Sequence, residues 1–342
     1  MRTRLIQSAG IRTSEVGFGA AMLGNLYHPL SDIDGRNTLI AALEAGISYV
    51  DTAPRYGHGL SERRVGDVLR GRADATLSTK VGRLLRANAK IVGNAERNGF
   101  YSPMQFESNY DYTYQGLMRS YEDSLQRLGL AHIDLLYVHD IGRLTHGHDN
   151  HRHFADLVGG GFRALKELRL SGAISGFGLG VNEWEVCMEA LNHEALDVVL
   201  LAGRYTLLEQ GALAKFLPAC VERGIGVVIG GAYNSGILAT GTHGPETPLY
   251  SYEPAPAHVI ERVRRLEALC ADYDVPLAAA ALQFPLAHPA VVSVIPGLGS
   301  VARVTQTIDL YNTKIPHGFW AQLRARGLVE PRAPLPGETA CA

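Results

Sequence analysis

The sequence is poor in cysteine, balanced in charge and without a long apolar run, and each shortage excludes a class of protein. Four cysteines, Cys187, Cys220, Cys270 and Cys341, are scattered through 342 residues with no C-x-x-C pair. That spacing suits reduced thiols in the cytosol, not a disulfide scaffold. With 32 Lys and Arg against 34 Asp and Glu, the chain has neither a basic footprint for nucleic acid nor a polybasic membrane anchor. The longest apolar stretch, residues 278–287, is broken by Gln283 and Pro285 and is too short to span a bilayer. The first residues, Met1-Arg-Thr-Arg-Leu-Ile-Gln, hold no apolar core of a secretory leader. Internal repeats and low-complexity tracts are missing as well. What remains is the expectation of a cytoplasmic protein whose partner is a small molecule.

The chain is 46% hydrophobic and 19% charged, which allows a substantial core. Short β-branched or apolar runs alternate with longer amphipathic patterns. Expected strands are 15–19, 47–51, 76–80, 133–139, 174–180, 197–201, 226–230 and 291–295. Expected helices include 37–45, 116–128, 162–170, 183–191, 213–223 and 257–273. Eight strands with intervening helices fit one (β/α)8 barrel over residues 1–342. An open, doubly wound sheet alternates in the same way, but it gathers its functional loops at one switch point. Here polar residues end several different strands, which favours the barrel. Residues 4–11 are expected to form a hairpin plugging the barrel bottom. Residues 81–115 and 231–256 read as long loops at the C-terminal mouth, and 331–342 as a loose tail.

Three of the expected strands end on Asp51, Lys80 and His139, and Tyr56 follows the first in a Gly/Pro-rich turn. Strand ends converge on one mouth of a barrel, so the four side chains are expected to share a site. A phenol is a poor acid or base near neutrality because its ordinary pKa is about 10. An adjacent ammonium is expected to move that value down. Asp51 would hold Lys80 charged, and His139 would orient a substrate oxygen. Singly, each residue also reads as a cap, a solvated lysine or a surface turn.

Asp51-Thr-Ala-Pro-Arg-Tyr56-Gly, Thr79-Lys80 and Ile133-Asp-Leu-Leu-Tyr-Val-His139 resemble the signatures of the aldo-keto reductases. The resemblance runs from Gly17 to Val304. It implies a (β/α)8 barrel with a nicotinamide cofactor at its mouth. It makes Tyr56 the general acid/base, has Lys80 and Asp51 tune it, and has His139 orient the substrate. Asp51, Asn182, Gly231, Tyr233, Ser235, Pro296, Gly297, Leu298, Arg303 and Gln306 are the implied cofactor contacts. Several positions depart from the family pattern. Val181 replaces a serine beside Asn182, Ala202 replaces a glutamine, and Gly230 replaces the aromatic that stacks on the nicotinamide.

Gly297-Leu-Gly-Ser-Val-Ala302 also matches a dinucleotide G-x-G-x-x-A pattern, but too little chain follows it for a Rossmann unit. A phosphate site after the last barrel strand fits better. In many NADPH-using relatives that loop carries Lys-Ser where Gly297-Leu298 stand here. Loss of that lysine removes charge pairing from a 2′-phosphate, so NAD is expected, with NADP still served by Arg303.

Gly17-Phe-Gly-Ala-Ala-Met-Leu-Gly-Asn-Leu-Tyr27, Gly59-Leu-Ser-Glu62 and the stretch from Tyr112 to Arg127 are similar to the aldose 1-dehydrogenase branch, which pyridoxal 4-dehydrogenase resembles. The implied reaction is oxidation of a cyclic hemiacetal to a lactone. An NADPH-dependent aldehyde or ketone reductase is the alternative, and a nicotinamide-binding regulatory subunit is a third reading. Met22 and Tyr27 are expected substrate walls beside Tyr56 and His139, and Trp184 reads equally as such a wall or as helix packing. Arg55 and Arg204 read either as substrate contacts or as solvated side chains. His146, His148, His151 and His153 crowd one segment, yet they lack zinc-site spacing, so a solvated connection is expected and no metal.

Overall fold

The computed structural model describes residues 1–91, 95–244 and 247–338. In chain order its strands are β1 (Thr3–Ile6), β2 (Ile11–Ser14), β3 (Phe18–Gly19), β4 (Tyr49–Asp51), β5 (Thr76–Val81), β6 (Arg83–Ala87), β7 (Phe106–Tyr110), β8 (Leu135–His139), β9 (Gly176–Val181), β10 (Val198–Ala202), β11 (Gly226–Gly230), β12 (Leu249–Tyr250), β13 (Glu253–Pro254) and β14 (Val291–Ile295). Among the described residues, eight strands form one sheet in the order β14-β11-β10-β9-β8-β5-β4-β3, every pair parallel. Isolated parallel bridges, Val16 to Val294 and Gly19 to Gly297, join the two edges. The result is the (β/α)8 barrel expected from the sequence, with helices between the strands.

Side chains alternate along each strand, and this sorts the core into two parts. Tyr49, Leu135, Tyr137, Val198, Leu200, Val228 and Val292 point inward, while Val50, Leu136, Val138, Val199 and Val227 pack outward against helices. The antiparallel β1–β2 hairpin plugs the bottom, with Ile6 buried among the inward residues. Arg4 ties it down through Nη1 to Val291 O and Nη2 to Leu286 O, both at 2.7 Å, and through an ion pair with Glu15.

Several boundaries differ from expectation for a common reason. The strands expected from 47, 133 and 174 each begin two residues later. Ile47, Ile133 and Ile174 are buried lead-ins, and the N–H groups of Ile47 and Ile174 bond back to the end of the preceding helix. The helix expected from residue 37 already starts at Asp32, because Ser31 Oγ accepts from the Asp34 N–H. The expected loop 81–115 contains the β6–β7 hairpin, and 231–256 contains a helical turn, Ile237–Thr240, and the small β12–β13 ladder. The expected loose tail packs as far as Glu338. Ala333 and Leu335 are buried, and Glu338 pairs with Arg324.

The histidine-rich segment is largely exposed, as expected of a solvated connection, but it is helical rather than a loop. It forms the helices Arg143–His146 and Asn150–Asp156, which bring the His146 and His153 rings to 4.2 Å between centroids, beside Tyr110 and Tyr112. Cys187, Cys220 and Cys270 are buried free thiols, and Cys341 lies outside the described residues. Among the described residues no helix is long and apolar enough to cross a membrane.

Candidate active site at the barrel mouth

Asp51, Lys80 and His139 occupy inward positions at the C-terminal ends of neighbouring strands β4, β5 and β8, so the sheet itself brings them together. Lys80 Nζ donates to Asp51 Oδ2 at 2.6 Å, to Thr52 O at 2.9 Å and to Tyr56 Oη at 3.1 Å. Its three protons are thereby used, and the ammonium points at the phenol. Ser78 Oγ donates to Asp51 Oδ1 at 2.8 Å and touches Tyr49 Oη, which in turn meets Tyr137 Oη. The lysine stem passes Gly180, where a Cβ would be in ordinary contact with Lys80 Cδ and Cε at 3.5 Å and tight, at 3.2 Å, against Tyr137 Cβ. Tyr56 is set by a left-handed turn at Gly57 (φ 62°), where any Cβ would come within 2.5 Å of Gly24 O. The Tyr56 ring stands edge-on to His139 with centroids 6.3 Å apart.

Burial governs the protonation of this cluster. It raises the Tyr56 phenol above its ordinary value, and the pull of Lys80 reduces that rise without reversing it. Lys80 pulls Tyr56 down as expected, but the net value stays above the ordinary one because desolvation is the larger effect. The ammonium offsets desolvation, and the neighbouring Asp51 charge works against it. Burial pushes the Lys80 pKa down, but Asp51 and Tyr56 outweigh it and hold the amine above its ordinary range. Asp51 is pushed up by burial and pulled back by Lys80 and Ser78. His139 is driven well below 6.5 by burial, although Asp140 opposes the shift, so its imidazole is neutral at physiological pH.

These groups open on a cleft of about 340 Å³. Its wall includes three residues whose place in the site the sequence does not announce: Arg83, Asp140 and Tyr252. Asp140 follows His139 in a left-handed conformation (φ 51°) that turns its carboxylate back toward the cleft. There it accepts from Arg83 Nη2 and from Asn182 Nδ2 at 3.2 Å, and it lies 3.4 Å from His139 Nε2. Arg83 also lies over the Tyr110 ring at 4.5 Å. Arg55 lines the cleft too and is half-buried there. Arg204 is not among the lining residues and donates to Gly203 O.

The sequence model of the aldo/keto reductase family matches residues 15–326. The chain is 46% identical over 335 residues to a pyridoxal 4-dehydrogenase of Microbacterium luteolum, covering 95% of this chain and 97% of that one. It therefore belongs to the aldo/keto reductase family. It is also 40% identical over 327 residues to a D-threo-aldose 1-dehydrogenase of a Pseudomonas species, covering 94% and 96% of the two chains. A solved aldo-keto reductase from Bacillus halodurans, in its holo form, matches with a TM-score of 0.74 at 25% identity, covering 96% and 97%. Like its family, this aldo/keto reductase is an oxidoreductase that uses a nicotinamide cofactor.

The mouth of this aldo/keto reductase has groups that fit such a cofactor. Tyr233 Oη is buried without a partner among the described residues; burial pushes its phenol up to about 12, against a pull from Arg303. Gly297 is exposed, and a Cβ there would meet only Met22 Cγ at 3.5 Å, which leaves the backbone open to a ligand. Arg303 and Gln306 are exposed and paired at 2.9 Å in the first turns of the helix Val301–Asn312, which Ser300 caps. Pro296 O accepts from the Gly19 N–H. Asn182 and Ala202 line the cleft, and Gly231 is exposed beside it in a left-handed turn (φ 59°).

Other expected contacts fall elsewhere. The Leu298 side chain is 1% exposed and belongs to the core, so only its backbone is available. Ser235 Oγ is engaged with the Tyr252 N–H at 2.9 Å. Met22 packs on Gly297 and Gly299, and Trp184 lies beside Gly211; neither lines the cleft. Tyr27 is half exposed at the rim near Tyr252.

Proposed function

We propose that this chain oxidises the hydroxyl of a cyclic hemiacetal to a lactone, with NAD as the cofactor. The observation that carries the proposal is Tyr56 Oη, 3.1 Å from the buried Lys80 ammonium and facing a cleft shared with His139. The names of the two relatives support the substrate class, because pyridoxal and aldoses both close into cyclic hemiacetals. A bound nicotinamide supplies the hydride acceptor at its C4.

The protein's part is proton transfer and positioning. Tyr56 Oη, as phenolate, takes the hydroxyl proton while the hydrogen on the same carbon departs with its electron pair, and the C–O bond becomes the lactone carbonyl. Lys80, anchored by Asp51, stabilises the phenolate as it forms. His139, being neutral, orients the substrate oxygen by hydrogen bonding without repelling a cation. Asn182 and the Pro296–Arg303 loop would hold the cofactor. In that loop Arg303 is the one cation, and no lysine stands at Gly297 or Leu298 to meet a 2′-phosphate. This supports NAD.

Carbonyl reduction is the second reading, favoured by the raised Tyr56 phenol, which suits an acid. One assay separates the two. Formation of NADH and NADPH is followed with pyridoxal, L-fucose, L-galactose and D-arabinose, and the reverse reaction with simple aldehydes. A higher kcat/KM with NADP, or turnover only in the reducing direction, would overturn the proposal.

A further inference from the structure

The charges of the cleft do not cancel within the protein. Lys80 is matched by Asp51, and Arg83 by Asp140. Both Asp140 oxygens are already engaged, one by Arg83 and His139 and the other by Asn182. Arg55 lines the same cleft, half-buried, and its guanidinium has no hydrogen-bond or ion-pair partner among the described residues. Behind it, Arg83 is 4% exposed and its Nε also lacks an acceptor. Two donors of one sign, in a partly desolvated wall, with no carboxylate left over, form a site for an anionic oxygen. Burial and the nearby Arg83 charge depress the Arg55 pKa more than the attraction of Asp140, Tyr110 and Tyr56 raises it, so an anion bound at this guanidinium would be favoured.

We propose that Arg55, backed by Arg83, binds an anionic oxygen of the substrate, so that the hemiacetal oxidised by this chain carries a phenolate or a carboxylate. This rests on the hemiacetal reading above and narrows it. Pyridoxal meets the requirement through its ring hydroxyl, which ionises beside the pyridinium nitrogen. A hexuronic acid meets it through its carboxylate, and an unmodified aldose has neither group. The two charged classes share one recognition chemistry and are separated by the substrates tested.

The test uses the full chain with saturating NAD and two matched pairs: pyridoxal against its 3-O-methyl ether, and D-galacturonate against D-galactose. In at least one pair the charged member is expected to have a kcat/KM about tenfold or more above its neutral twin, the usual effect of a hydrogen bond to a charged group. Arg55→Gln should erase that preference, mainly through KM, and Arg55→Lys should restore part of it. The pair that shows the preference identifies the anion. No preference in the wild type, or an Arg55→Gln variant that keeps it, would overturn the proposal.

Binding of the same compounds to NAD-loaded Tyr56→Phe protein, with and without Arg55→Gln, separates this inference from the reading beneath it. If charge discrimination through Arg55 persists although none of the four compounds is oxidised, the anion site stands and the hemiacetal reading fails. If they are oxidised with no discrimination, the anion site fails and the hemiacetal reading stands.

Discussion

At the scale of single residues, the site depends on how far an ammonium can offset burial. Tyr56 lies above its ordinary value of 10.0 because desolvation outweighs Lys80. A base in that state gains its active form as pH rises, so kcat/KM for oxidation should climb with pH through the neutral and mildly alkaline range. His139 is neutral throughout, since burial holds it well below 6.5, and it should contribute no acidic limb near that value. Lys80→Met removes the stabilising charge and should move the rising limb to still higher pH. A bell-shaped profile with a limb near 6.5, or a limb that Lys80→Met leaves in place, would assign the titration to another group. Tyr56→Phe removes the proton acceptor without touching Asn182 or Arg303. It should lower kcat by about a thousandfold, within the range of general acid–base catalysis. NAD affinity, measured by fluorescence titration, should change less than about threefold, since no cofactor contact of Tyr56 is needed for this chemistry.

Between elements, two motifs shared with the dehydrogenase branch, residues 59–62 and 112–127, build a frame behind the site. Glu62, fully buried, accepts from Thr79 Oγ1 at 2.7 Å and from Arg127 Nε at 2.5 Å. Ser61 Oγ, one residue earlier, bonds to Thr52 Oγ1 and to Ala20 O. The helices Leu60–Leu69 and Tyr114–Leu128 are thus bolted to the residues beside Asp51 and Lys80. Arg127→Ala would leave Glu62 buried without its cation and should cost about 3–5 kcal/mol in urea unfolding. The double change Glu62→Gln with Arg127→Met should recover much of that loss, because no buried charge is left stranded. A cost below about 1 kcal/mol for Arg127→Ala, the range of an exposed pair, would show that the bridge is solvated.

The same elements explain what could be read from sequence. Asp51, Lys80 and His139 were legible because a polar residue ending an apolar run stands out, and a barrel sends all such ends to one mouth. Arg83 was hidden because β6 begins immediately after β5, inside a stretch too polar to suggest a strand. Asp140 was hidden because its role depends on one left-handed residue, which spacing does not reveal. Trp184 packs against the core rather than lining the cleft for a related reason. It lies only two residues beyond Asn182, but the chain has already turned into the helix Glu185–Ala190 and carries the indole toward Gly211.

Across the whole molecule, the barrel is not equally strong around its circumference. β9 and β10 pair over four positions and β10 and β11 over five, whereas β3 meets β14 only through isolated bridges. The Gly17 N–H donates to Val294 O at 2.9 Å, the Val294 N–H to Glu15 O at 2.8 Å, and the Gly19 N–H to Pro296 O at 3.0 Å. Pro296 also opens the loop proposed to hold the cofactor, so this closing seam and that loop are one piece of chain. Local opening follows contact density, and a ligand that binds only the closed form suppresses opening. In the free protein the amides of Gly17, Gly19 and Val294 should therefore exchange with solvent faster than those of Val199 and Leu200. NAD at about 100 times its Kd should stabilise the native state by about 2.7 kcal/mol and slow exchange most at the seam amides. Hydrogen exchange with and without NAD measures both effects at single-segment resolution. Protection spread evenly around the barrel, or confined to β8 and β9, would detach the cofactor loop from the seam.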